Sequence, residues 1–221
     1  MTKTAEDARP VARTKLHRIA QHKLDRRERR SLETRETLYR VAMDLFAKHG
    51  FVETTTEDIT EAADVGQGTF FNYFPTKAHV LLAFSEKQMG KGLAALQEAE
   101  SGKIPIREVL RRFTHNIVEE LVRTQALTRS LLTIFVAQDD VRGIMRDTLA
   151  LVRERLARIC VIGQQRGEIR RDRKPAELAA ALQRNVLGTL LLWAVQPKSD
   201  PDEWLEKAFR DFWEIARVKN R

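Results

Sequence analysis

The stretch from Thr55 to Lys77, TTEDITEAADVGQGTFFNYFPTK, constrains this chain more than any other. It reads as a short helix, a tight turn and a second short helix. Thr55 or Thr56 suits the first cap, with Glu57 and Asp58 in the first turn, where acidic groups meet the positive helix end. Ile59, Ala62, Ala63 and Val65 give that helix a small apolar face. In the second piece, Gly68 to Phe74, Phe70 and Phe74 stand four apart and so share one side. Thr69, Phe71, Asn72 and Tyr73 are thereby directed elsewhere. A short helix anchored on one face, offering a hydroxyl, an amide and aromatics on the others, suits insertion into a DNA major groove.

These residues carry a resemblance. The run from Thr54 to Leu82 resembles the DNA-binding domain of TetR-type transcriptional regulators. That family's helix-turn-helix reads as a Thr cap, an Ile-Ala helix, a Gly-Val-Ser turn, a Thr-Leu-Tyr-x-Tyr-Phe recognition helix and a Lys before the fourth helix. Asp64 stands where the family carries a turn glycine, and Asp tolerates the left-handed conformation better than most residues. Gly66 replaces a Ser cap and Phe71 a Tyr, which removes two phosphate donors.

Residue roles follow from the resemblance. It implies that Thr54, Thr55 and Thr56 meet phosphate at the start of the first short helix. Gln67, Gly68, Thr69 and Asn72 approach base edges, since Gln and Asn pair with adenine and a Thr methyl touches thymine. Tyr73 and Lys77 form a phosphate clamp, Phe71 touches sugar or a thymine methyl, and Phe70 and Phe74 are core. The partners implied are double-stranded operator DNA, a second copy of the chain and a small-molecule effector. Repression relieved by that effector is the expected mode, with activation as the alternative.

Charge reinforces the DNA reading through its placement. The net charge is +8, and residues 9–30 hold nine Lys or Arg against Asp25 and Glu28, so nearly all the excess lies in this arm. A polyanion is the expected neighbour. Residues 1–30 have little apolar content and read as disordered or marginally helical when free. They act as a solvated tail or as an arm along the duplex, and their place before the helix-turn-helix favours the arm.

The rest reads as all-α. Ser31 suits a cap for a helix with Leu38, Val41, Ala42, Leu45 and Phe46 on one face, closed by Gly50. The DNA-binding domain spans 31–84 and a helical effector-binding and dimerisation domain spans 85–221. Ser101 to Pro105 is the strongest break in periodicity. Beyond it, helical patterns cover about 105–123, 127–138, 140–166, 175–196 and 201–218. No apolar run approaches the roughly 18 residues needed to span a bilayer, Val186 to Val195 being the longest candidate. Cys160 is the only cysteine, so no intrachain disulfide forms and a reducing cytoplasm is the natural setting.

In the second domain, Ala179, Leu182, Val186, Leu190 and Trp193 recur at helical spacing, and Leu187, Leu191, Leu192 and Val195 make the same helix apolar nearly all round. Such a helix is covered from every side. A second chain is the expected cover, with Leu182, Val186, Leu190, Trp193 and Phe212 at the interface. Polar residues on apolar helices suggest an effector pocket of Phe113, His115, Asn116, Phe135, Gln138, Gln183, Asn185 and Trp193.

Catalytic patterns are weak. The five His are scattered without metal-ligand spacing, and Cys160 among Leu156, Ile159 and Ile162 reads as a small buried hydrophobe. No catalytic residue, metal or cofactor is expected, and the chain is not read as an enzyme. An enzyme built around His115 or Cys160 and a basic protein on a membrane surface are the competing classes. The arm lacks the broad aliphatic face that membrane binding needs.

Overall fold

A computed structural model describes residues 9–196 and 199–218, with side chains from Arg26 onward except Asp140. All the regular structure among these residues is helical. In order, α1 is Arg9–His49, α2 Thr56–Ala62, α3 Gln67–Tyr73, α4 Val80–Ser101, α5 Ile106–Val118, α6 Gln125–Ala137, α7 Asp139–Gln165, α8 Pro175–Val195 and α9 Pro201–Ala216. Single 3₁₀ turns at Lys77–His79 and Leu121–Arg123 lead into α4 and α6.

The first helix departs from expectation. It runs unbroken through Ser31, which therefore caps nothing, and its backbone is helical from Arg9, the helical one of the two expected states. No Gly or Pro stands between Val11 and His49, so nothing interrupts the hydrogen-bond ladder, and Pro10 sits in the first turn where it is tolerated. The side chains of residues 9–25, which carry part of the basic arm, lie outside the described residues. Arg26, Arg27, Arg29 and Arg30 are exposed.

The three helices around the turn share one small core. Leu38, Ala42 and Phe46 of α1 are fully buried, together with Ile59 of α2, Phe70 of α3 and Phe74 just beyond it. Gly50 ends α1 at φ 91°, a conformation that costs glycine little. The turn between α2 and α3 places Asp64 at φ 52°, in the left-handed region. Thr55 caps α2, its hydroxyl accepting from the Asp58 amide while the Asp58 carboxylate accepts from the Thr55 amide.

Helices α4 to α9 form the larger body, with α4 against α7, α7 against α8 and α8 against α9 as the broad contacts. The expected helical spans recur there to within a few residues. α4 begins beside the DNA-binding helices and continues through Phe84 without a break, so the boundary expected at 84/85 falls inside a helix. Gly102, at φ 70°, closes α4. α8 is long and apolar enough to cross a membrane, unlike the shorter run expected from the sequence, but one side of it packs on α6, α7 and α9.

Candidate nucleic-acid interface and effector cavity

The second short helix presents its polar side outward. Gln67, Gly68, Phe71 and Asn72 are exposed and Thr69 is half-buried, while Phe70 and Phe74 are sealed in the core. The Phe71 ring meets Phe70 edge-on at 5.5 Å, which holds it against the helix. Gln67 donates to the Glu57 carboxylate at 3.0 Å, fixing the start of α3 against α2. Tyr73 donates to the Ser31 hydroxyl at 3.1 Å, pinning the end of α3 to α1. No atom lies within 4 Å of where a Cβ on Gly68 would stand, so the helix surface is open there.

Two expected phosphate contacts are occupied by the protein itself. Thr54 is buried and its hydroxyl donates to the Gly50 carbonyl at 2.7 Å, closing the end of α1. Lys77 donates to the carbonyls of Phe51, Val52 and Thr54 at 2.5, 3.3 and 2.6 Å, with its ammonium 4.4 Å above the Phe51 ring. Three acceptors use all three ammonium protons. Burial lowers the Lys77 pKa from its ordinary value. Lys77 is thus a tie for the loop between α1 and α2 and not a phosphate clamp. Thr55 and Thr56 remain at the α2 N-terminus, the Thr55 hydroxyl spent on the cap.

Lys77→Met is expected to destabilise the chain by about 1–3 kcal/mol, because part-buried carbonyls lose their donor. Urea denaturation followed by circular dichroism reads this directly. Unchanged stability with a salt slope of DNA binding shallower by roughly 0.9 would restore the clamp role.

A cavity of about 1090 Å³ opens between α4, α5, α6, α7 and α8. Its walls are mostly apolar, including Phe84, Phe113, Phe135, Leu156 and Leu190, and Gln88 and Thr148 are buried polar groups within them. Arg142, Arg146 and Arg153 of α7 stand exposed along one edge. Of the pocket residues expected from sequence, Phe113, Phe135 and Gln183 line it. His115 lies instead in a separate cleft beside α9, its Nε2 3.2 Å from the Glu206 carboxylate and its Nδ1 3.6 Å from Asp202. Asn116 and Gln138 are on the surface and Asn185 is half-buried outside the cavity. Trp193 is buried away from it, its indole donating to Ser199 at 2.9 Å.

Known proteins resemble the chain in sequence and in fold. The family model of bacterial regulatory proteins, tetR family, matches residues 38–84. TcmR of Streptomyces glaucescens, an HTH-type transcriptional regulator, is 37% identical over 81 residues; that alignment takes in 37% of this chain and only 36% of TcmR. DhaR of a Mycobacterium species, an HTH-type transcriptional repressor, is 27% identical over 79% of this chain and 90% of its own length. Among solved structures, Thermus thermophilus FadR, a repressor in complex with lauroyl-CoA, is 31% identical with a TM-score of 0.59, covering 85% of this chain and 97% of FadR. The chain belongs to the TetR family of transcriptional regulators. It carries that family's helix-turn-helix and helical second domain, and its relatives are regulators of transcription.

The regulator's α8 corrects the expected interface. Leu182, Val186, Leu190, Trp193 and Phe212 are all buried in the chain's own core, and the first three border the cavity. Away from the cavity α8 is open: Leu192 and Val195 are 53 and 66% exposed, and Ile215 of α9 is exposed as well, while Leu191, also exposed, stands at the cavity rim. The face expected to meet a second chain is thus filled by the chain's own helices. The seven-residue separations that put Val186 and Trp193 on one side do not say which side meets α7 and α9.

Cys160 is buried, and burial pushes its thiol up to about 12. Among the described residues no three His, Cys, Asp or Glu are grouped to hold a metal ion.

Proposed function

We propose that this regulator is a repressor that occupies a palindromic operator as a homodimer and leaves it when a small molecule enters the cavity. Each subunit lays the Gln67–Phe74 segment in the major groove, with Gln67, Gly68, Thr69 and Asn72 toward base edges and Phe71 toward a sugar or thymine methyl. Tyr73 and the amides at the α2 N-terminus position the backbone. The dimer forms through the open face of α8 and α9. The bacterial cytoplasm, where the operator is, is its place of action.

One observation carries the effector half of this reading. α4 starts at Val80, next to the recognition helix, and places Phe84 and Gln88 in the cavity wall. A ligand that fills the cavity better when α4 is displaced shifts the population toward dimers whose recognition helices no longer match successive grooves. The lauroyl-CoA complex of FadR and the repressor role of DhaR support the same assignment.

Asn72→Ala or Thr69→Ala is expected to weaken operator binding by about 1–3 kcal/mol while leaving random-sequence binding nearly unchanged. Fluorescence anisotropy with DNA from upstream of the regulator's own gene, with and without competitor, measures both. Equal losses on operator and random DNA would remove these two residues from base readout.

A further inference from the structure

The cavity is apolar but has one polar group that its own walls leave unsatisfied. The Gln88 side chain is buried, 5% exposed, and its Oε1 has no hydrogen-bond partner among the described residues. Burying an amide oxygen without a partner is costly, and native interiors seldom tolerate it unless water or a ligand completes the bond. Thr148 lies close by in register. α4 and α7 run parallel here, since Arg155 donates to the Met89 carbonyl and Arg166 to that of Ala99. A Cβ on Gly92 would stand 3.7 Å from Val152, so one turn back on both helices brings Gln88 level with Thr148. The Thr148 hydroxyl donates to the Ile144 carbonyl at 2.8 Å and keeps its lone pairs for another donor.

The rim carries the opposite demand. Arg142 and Arg146 pair with Asp139 and Asp147. Arg153 has no carboxylate partner among the described residues and only reaches the neutral Gln183 amide at 3.4 Å. A guanidinium at the edge of an apolar cavity, free of a protein anion, is disposed to take a carboxylate or phosphate in a forked pair.

We propose that the effector is an elongated apolar acid, its anionic end held by Arg153 at the rim and a hydroxyl at its inner end bonded to Gln88. A hydroxyl both donates and accepts, so it satisfies the Gln88 amide whichever of its ends faces inward. This assignment rests on the cavity being the effector site and adds the chemistry that the site selects.

The test is a set of four probes with one chain: ω-hydroxydodecanoate, dodecanoate, methyl ω-hydroxydodecanoate and methyl dodecanoate. Binding to the full-length dimer is read by calorimetry at low salt, and release of promoter DNA by anisotropy. The hydroxy acid is expected to bind most tightly. Removing its hydroxyl should weaken binding about three- to tenfold, and esterifying its carboxylate about tenfold. Gln88→Leu should erase only the first difference and Arg153→Gln only the second, with thermal unfolding confirming that both variants fold. The wild-type series decides the matter even if a variant fails to fold. Methyl dodecanoate binding as tightly as the hydroxy acid would overturn the proposal, and the effector reading would survive if the bound ester still released DNA. Selective binding as expected, with the promoter still fully occupied, would overturn the effector reading instead. Failure of every probe to bind would overturn the proposed ligand class while leaving DNA binding intact.

Discussion

Leu190→Arg is expected to unfold the second domain rather than yield folded monomers. Leu190 is 2% exposed and sits in the wall between α8 and the cavity, so the guanidinium would replace a leucine with no carboxylate to meet it. An unpaired buried charge costs about 3–5 kcal/mol or more, a large share of the roughly 5–15 kcal/mol that holds a domain folded. Leu192→Arg is the matched partner. Leu192 is 53% exposed, and the change should alter the stability of one subunit by only about 0.5 kcal/mol. In the proposed dimer it buries a charge at the two-fold contact and yields folded monomers with weak operator affinity. Denaturation curves with analytical ultracentrifugation of both variants separate the two faces. A well-folded Leu190→Arg monomer would return the interface to the inner face of α8. A dimeric Leu192→Arg would remove the outer face from it.

Replacing Arg26, Arg27, Arg29 and Arg30 together by Gln is expected to weaken binding to every DNA sequence. These four cations are exposed on α1 immediately before Ser31, which is joined to Tyr73 at the end of the recognition helix. If three of them neutralise phosphates, counterion release makes the slope of log K against log salt shallower by about 2.7. At about 0.15 M salt the loss is then on the order of a hundredfold, with preference among operator variants retained. A salt titration of the variant and wild type on one operator gives both numbers. An unchanged slope would make this part of α1 a solvated helix that touches no DNA.

Local chemistry is what the sequence exposes most clearly. The Thr55–Asp58 cap, the left-handed Asp64, the glycine stop at Gly50 and the paired Phe70 and Phe74 each follow from residues within a few positions of one another. Together they specify a helix-turn-helix, because caps, turn conformations and i, i+4 pairs are short-range physics. The same short range hid what became of Thr54 and Lys77. Lys77 looks like a phosphate ligand until the carbonyls of Phe51, Val52 and Thr54, more than twenty positions back, close around it. Ser31 looked like a cap only because the charged run before it resembles a tail.

Tertiary packing decided the second domain. The cavity draws its walls from five helices, and nothing local marks Gln88, Thr148 and Arg153 as neighbours of one empty space. His115 has the same local signature as a pocket residue, yet its partners are carboxylates of α9 that lie far along the chain. Periodicity showed that α8 has apolar residues on all sides, and it left open which side the chain itself would cover. A hydrophobic period fixes the angle between faces but not their partners, and only the packing of α7 and α9 turned Leu190 inward and Leu192 out.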